Sequence, residues 1–194
     1  MVVYKHKKKE LLSTNPLLNI IYKYNLTKYL KYIAIIILFF LNKKWFVFGI
    51  FTILTYIIIY YSKLWHLPID VSPLFFFGLV ITKYYGYQYM ILFYILAYFI
   101  PKTLAGQSAN WLSYIFISIS WLSFLTVFLL PKTLDLRILG YITSIIQFTL
   151  AAMFQATMKP LFIAIIDGIG NVLNNLLWFL IFSDLIVWIM KFIM

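Results

Sequence analysis

The polar side chains best suited to bind a small molecule lie in the last apolar segment of the chain. Asp167, Asn171, Asn174 and Asn175 stand at i, i+4, i+7 and i+8, a spacing that places all four on one face of an α-helix. A carboxylate accepts hydrogen bonds, and an amide both donates and accepts them. On insertion scales an Asp at a helix centre costs about 2.5–3.5 kcal/mol in lipid. We therefore expect this face to turn inward, toward a cavity, a partner helix or water.

Two roles are open for this polar face. The amides can line a cavity and hydrogen-bond a solute, or they can bond across helices and hold the bundle together, at well under about 2 kcal/mol a contact. Gly168 and Gly170 beside them permit close approach of a neighbouring backbone. Either role keeps the polar face away from the acyl chains.

Further polar side chains are predicted to join the polar face. Gln147, Gln155 and Lys159 precede it and are candidate partners of Asp167, and an ion pair between Lys159 and Asp167 would neutralise both charges. The polar turn at residues 101–110 ends beside an interfacial Trp, where it can cap the next helix or cover a cavity. The complete predicted ligand-binding set is Asp167, Asn171, Asn174, Asn175, Gln155, Lys159, Gln107, Asn110 and Trp111.

No motif typical of catalysis occurs in the sequence. His6 and His66 have no second ligand at H-x-x-x-H or H-E-x-x-H spacing. A G-x-S-x-G elbow and a phosphate-binding glycine loop are absent. The chain has no cysteine, which excludes disulfides, thiolate metal sites and iron–sulfur clusters. We expect no enzymatic activity, no metal and no cofactor.

The composition is that of an integral membrane protein. Hydrophobic residues make up 64% of the chain and charged residues 11%, which leaves too little polar surface for a soluble domain. A chain of 194 residues suffices for four to six spans of about 20 residues each. The strand alternation of a membrane barrel is absent. The predicted fold is an all-α, polytopic membrane helix bundle with five or six membrane-embedded helices, some short or broken.

The predicted helices follow the apolar runs and their interruptions. Clean spans are expected at residues 45–62, 111–130 and 138–158, and two broken halves at 74–82 and 89–100. Pro68 and Pro73 break the chain before the first half, because proline supplies no backbone donor and restricts its neighbours. Residues 161 onward form either one long helix or two pieces hinged near the glycines. Residues 26–41 either span the membrane or lie at its surface.

Positive charge is concentrated near the N-terminus. Residues 1–44 hold nine of the sixteen Lys and Arg against one acid. Residues 1–31 are predicted to form a basic, interfacial segment with amphipathic character, and residues 32–194 the membrane domain. The positive-inside bias predicts a cytoplasmic N-terminus in a multi-pass protein of the cell membrane. Anionic lipid headgroups, rather than nucleic acid, are the expected partners of the lysines.

The order of elements resembles a group of small six-helix membrane proteins. Residues 69–74 (IDVSPL) lead into a short apolar helix, Gly78, Gly86 and Gly106 follow, and residues 167–174 (DGIGNVLN) lie in the last helix. From residue 45 to the C-terminus this resembles the substrate-binding (S) components of energy-coupling-factor transporters and the MreD-type rod-shape proteins. In the transporter subunits an Ala-x-x-x-Ala pattern on the first helix contacts the coupling subunit, whereas the corresponding helix here offers only Gly49, Thr52 and Thr55.

Two functions follow from the residues and the resemblance. The resemblance implies a six-helix bundle with a ligand cavity in its outer half, or a scaffold that recruits other membrane proteins. We expect a substrate-binding membrane subunit or small transporter for a small polar solute. The alternative is a non-enzymatic scaffold or assembly protein of the MreD type, in which the polar face binds partner proteins.

Overall fold

A computed structural model describes residues 32, 42–65, 71–107, 111–158 and 160–193. The chain divides into two compact units, Met1–Phe46 and Val47–Met194, and the candidate site lies in the second. The predicted amphipathic segment at 1–31 and most of residues 26–41 lie outside the described residues. Their membrane placement, like the predicted domain boundary at residue 31, stays a prediction.

The described part of the chain is helical throughout its regular elements. They are, in order, α1 (Lys43–Leu64), α2 (Leu74–Tyr84), α3 (Tyr87–Tyr94), a π-helical segment (Ile95–Phe99), α4 (Ile100–Leu104), α5 (Trp111–Phe124), α6 (Thr126–Leu129), α7 (Leu136–Ala156) and α8 (Leu161–Ile193). Because α3, the π segment and α4 are continuous, and α6 prolongs α5, these elements form six rods. None of the described residues forms a strand.

Four of the rods are long and apolar enough to cross a membrane. They are Lys43–Leu64, Trp111–Leu129, Leu136–Ala156 and Gly168–Ile193, and only 22–33% of each apolar window is buried inside the protein. The remaining apolar side chains face outward, as they do where lipid is the solvent. This confirms the predicted all-α membrane helix bundle.

The short helix α2 forms the centre of the bundle. All eight residues from 75 to 82 are buried. With 11 residues at about 1.5 Å each, α2 is too short to cross a hydrocarbon core of about 30 Å. Instead, Phe75 packs on Phe124 of α5, and Phe76 packs on Trp178 and Phe179 of α8.

Glycine and proline determine how the two broken halves are shaped. Gly86 has φ of +103° and separates α2 from α3, a conformation that costs glycine little. The predicted polar turn at 101–110 begins later than expected, because Pro101 and Lys102 are still helical. Pro101 has no N–H and its ring would clash with the carbonyl of Ala97 in a regular helix. The wider π turn at Ile95–Phe99 accommodates it.

The last helix is continuous. α8 runs over 33 residues without a hinge at Gly168 or Gly170, so of the two predicted arrangements the chain adopts one long helix. It packs along α7 through two glycines. A β-carbon on Gly168 would lie 2.7 Å from the Phe148 ring, and one on Gly140 would overlap the Phe179 ring. Both glycines are therefore needed for the close approach of these helices.

The two ends of the bundle are named here after a lysine at each end. At the first, called the Lys83 end, Lys83 Nζ donates to the Leu134 carbonyl at 2.7 Å, and Arg137 Nη2 pairs with Asp184 at 2.6 Å. At the other end, called the Lys63 end, Gln107 donates its side-chain amide to the Lys63 carbonyl at 3.0 Å.

The packing of α7 on α8 predicts a loss of stability for Gly140→Ala. The added methyl meets the buried Phe179 ring, and overpacking of this kind costs roughly 1–3 kcal/mol. We expect a lower midpoint of thermal unfolding in detergent. Gly49→Ala is the matched control, since no atom lies within 4 Å of its new methyl. Equal unfolding midpoints for Gly140→Ala and the wild type would contradict the close packing.

Candidate functional site

A polar cavity of about 160 Å³ lies between α2, the π segment, α5, α7 and α8. Asn171, Asn174 and Asn175 of α8 line one wall, and Gln147 and Gln155 of α7 line another. Asn175 is buried, whereas Asn171 is exposed at the rim. Three of the four residues of the predicted polar face therefore meet at one cavity.

Hydroxyl groups complete the cavity from the other helices. Ser113 and Ser120 line it from α5, and Ser72 lines it from the chain just before α2. Tyr94, the last residue of α3, and Tyr98 of the π segment line it as well. Ser72, Ser113 and Gln155 lie at or next to the helix ends nearest the Lys63 end. The cavity thus occupies the half of the bundle toward the Lys63 end.

Three side chains at the cavity wall form a continuous hydrogen-bond chain. Asn175 Nδ2 donates to Gln147 Oε1 at 3.0 Å, and Gln147 Nε2 donates to Ser120 Oγ at 2.9 Å. Ser120 Oγ in turn donates to the Phe116 carbonyl at 2.9 Å. This chain, the Asn175–Gln147–Ser120 chain, joins α8 to α7 and α7 to α5. It satisfies buried polar groups that would otherwise each cost about 1–3 kcal/mol.

Asn174 also has a structural partner. Its Nδ2 donates to the Ser72 carbonyl at 3.1 Å, and Trp178 Nε1 donates to the Val71 carbonyl at 3.3 Å. α8 therefore holds the chain segment that leads into α2. Asn174 and Asn175 thus perform the interhelical bonding that was one of the two predicted roles of the polar face.

Gln155 and Asn171 differ from these neighbours. Gln155 Oε1 is buried and accepts no hydrogen bond from the described residues, although an amide oxygen has two lone pairs to satisfy. Asn171 lines the cavity from an exposed position at its rim. The cavity therefore holds an amide oxygen that no donor among the described residues uses.

A buried lysine lies directly behind the cavity wall. Lys102 is only 8% exposed, and its Nζ donates to Ser113 Oγ at 2.7 Å and to the Tyr98 hydroxyl at 3.4 Å. The ammonium also lies 5.4 Å from the centre of the Tyr98 ring, within the range of a cation–π contact.

Sequence reasoning missed Lys102. Its position after Pro101 predicts a place in the polar turn at 101–110, and the π segment that precedes it is not predictable from the sequence. The available signal was a single lysine at the end of an apolar run, flanked by Tyr98 and Pro101.

The remaining predicted site residues have other positions. Gln107 bonds the Lys63 carbonyl and does not line the cavity. Trp111 is exposed and its ring meets the edge of Phe154, so it does not line the cavity either. Asn110, Lys159 and the side chain of Asp167 lie outside the described residues. The predicted ion pair between Lys159 and Asp167 stays a prediction.

Metal-binding clusters are absent from the described ranges, which contain no group of three or more His, Cys, Asp or Glu side chains. The cavity instead offers amides, hydroxyls and a nearby ammonium. These groups form hydrogen bonds and attract negative charge, so the arrangement is suited to binding.

The Asn175–Gln147–Ser120 chain predicts energetic coupling between α7 and α8. In a double-mutant cycle of Gln147→Ala and Asn175→Ala, we expect a coupling free energy of about 0.6 kcal/mol and at most about 1.7 kcal/mol, the mean and the maximum found for side-chain hydrogen bonds between membrane helices. The measurement is the free energy of unfolding in detergent or lipid. A cycle of Gln147→Ala with Thr149→Ala is the control, since the Thr149 hydroxyl bonds its own helix at Ile145. Coupling near zero in the first cycle would contradict the assigned hydrogen bond.

Comparison with known proteins yields no relative. No protein-family model, no curated protein and no solved structure matches the chain. The resemblance to S components and MreD-type proteins therefore stays a prediction, and a function is inferred from the cavity's own residues.

Proposed function

We propose that this chain is a substrate-binding membrane subunit or small transporter that takes a small polar solute into the cavity. The observation that carries the proposal is the Oε1 of Gln155, which is buried beside the cavity and accepts no hydrogen bond from the described residues. A donor on a solute would supply the hydrogen bond that Gln155 lacks. Concave sites with a few convergent polar groups are typical of small-molecule binding.

The size of the cavity limits the solute. A cavity of about 160 Å³ is comparable to one of about 150 Å³ that accepts benzene in an engineered protein. A solute of about six to ten non-hydrogen atoms is therefore appropriate. The polar walls favour a solute with hydrogen-bonding groups on more than one side.

The distribution of basic side chains between the two ends of the bundle supports a cavity that opens toward the outside of the cell. Among the described residues of Val47–Met194, the Lys83 end carries the larger group of basic side chains, namely Lys83, Lys132, Arg137 and Lys191. The Lys63 end carries Lys63 and Lys102. The positive-inside bias counts Lys and Arg near the ends of spans, so it orients the Lys83 end toward the cytoplasm. The cavity then opens in the outer half of the membrane.

The scaffold alternative assigns the polar face to a partner helix. The exposure of Asn171 is the feature that favours it, because an amide at the bundle surface can bond an amide or hydroxyl of another membrane protein. Asn174 and Asn175, by contrast, are occupied within the chain.

A solute screen tests the proposed binding. Purified protein in detergent is heated with polar solutes of about six to ten non-hydrogen atoms, and a ligand at about 100 times its Kd is expected to stabilise the fold by roughly 2.7 kcal/mol. Gln155→Met keeps the side-chain volume, removes the amide and should abolish the rise in melting temperature. Gln107→Met, outside the cavity, is the matched control and should keep it.

The outcomes separate the two functions. If a solute stabilises the wild type and the Gln155→Met variant equally, it does not bind in the cavity as proposed. If no solute stabilises the protein, and Asn171→Ala loses a co-purifying membrane protein identified by mass spectrometry, the scaffold function holds instead.

The proposed orientation predicts which loops can be labelled from outside the cell. The natural chain has no cysteine, so single cysteines report their own positions. Leu104→Cys at the Lys63 end should react with a membrane-impermeant maleimide on intact cells, and Thr133→Cys at the Lys83 end should react only after lysis. Both native side chains are exposed, so the pair is matched in accessibility. The reverse labelling pattern would overturn the orientation.

A further inference from the structure

Lys102 is a buried positive charge without a described counter-ion. The carboxylates whose side chains are described, Asp135 and Asp184, are exposed at the Lys83 end, and Asp184 already pairs with Arg137. A buried charge is costly unless it is paired and hydrogen-bonded. Its two hydroxyl partners, Ser113 and Tyr98, supply hydrogen bonds but no negative charge.

We infer that the solute bound in the cavity carries a carboxylate and that Lys102 attracts it. This inference rests on the proposed binding function and names the chemical class of its substrate. The negative charge of the solute would be the counter-ion that the described residues do not provide. Lys102 then determines specificity for acids over neutral solutes of the same shape.

The geometry places the ammonium within reach of the cavity. Ser113 and Tyr98 both line it, and Lys102 Nζ lies 2.7 Å and 3.4 Å from their oxygen atoms. An ammonium has three donors, and these contacts use two. The contact with Tyr98 is long for a hydrogen bond, so a carboxylate oxygen can replace it at small cost.

The π segment keeps this arrangement in place. Tyr98 lies within the π segment and Lys102 follows it by four residues, directly after Pro101. Pro101 and Lys102 are both buried, so the ammonium is held by packing as well as by hydrogen bonds. Single π turns inside α-helices occur frequently at functional sites, and this one brings a tyrosine and a lysine to the same wall.

The charge balance favours a monocarboxylate over a phosphate. Lys102 contributes one positive charge, and a carboxylate one negative charge, whereas a phosphate group carries about −1.5 to −2 at pH 7. The second negative charge of a phosphate would be left without a partner among the described cavity residues. Gln155 Oε1, in the last turn of α7, can accept a donor elsewhere on the same solute.

The test compares acids with their own amides. The probes are nicotinate, benzoate, lactate and proline, each beside its primary amide, added to the purified full-length protein in detergent at constant pH and ionic strength. We expect at least one acid to raise the melting temperature and to bind about tenfold more tightly than its amide, the effect of a hydrogen bond to a charged group. Lys102→Gln should bind the acid and its amide with nearly equal affinity. Lys102→Arg should still bind the acid more tightly than the amide.

Lys63→Gln is the matched control, because it removes a neighbouring positive charge that does not contact the cavity wall, and it should preserve the preference for the acid.

Amides that bind as well as acids would overturn the carboxylate assignment while leaving the proposed binding function intact. An acid preference that survives Lys102→Gln would overturn the role of Lys102. If neither acids nor amides bind, and the wider polar-solute screen also fails, the binding function itself fails. If Lys102→Gln does not fold, the comparison of acid with amide on the wild type still decides the carboxylate assignment.

Discussion

The structure depends on the cost of leaving a polar group unbonded in an apolar surrounding. In water an unused amide is solvated, but between membrane helices it must find a partner within the protein. The Asn175–Gln147–Ser120 chain meets that requirement and thereby fixes α5, α7 and α8 relative to one another. Glycine at positions 140 and 168 lets α7 and α8 approach closely enough for the amides to meet.

The candidate site consists of the polar groups that this network does not satisfy. Gln155 and Asn171 lie on the same two helices as Gln147 and Asn175 but extend beyond the network toward the Lys63 end. Under the proposed function, helix packing and solute binding are neighbouring uses of one polar surface. The same amides that bond across the helices also line the cavity.

Lys102 shows how a backbone irregularity can create a site. Pro101 prevents a regular helix, the chain widens into the π segment, and the following lysine is buried beside Tyr98. A lysine in such a position attracts negative charge because the low dielectric constant of the interior strengthens its field. The short, central helix α2 also helps to position Lys102. It ends at Tyr84, and the turn at Gly86 leads the chain back into the rod that carries Lys102.

The sequence by itself determined the membrane class, the broken pair of helices around Gly86 and the shared face of Asn171, Asn174 and Asn175, because hydropathy and a period of 3.6 residues are local properties. Only the tertiary structure decided which amides bond across helices, that Gln107 and Trp111 lie away from the cavity, and that Lys102 lies beside it. These outcomes depend on distances between side chains far apart in the chain, such as the 3.1 Å from Asn174 to the Ser72 carbonyl. Spacing along one helix carries no information about which neighbour packs against it.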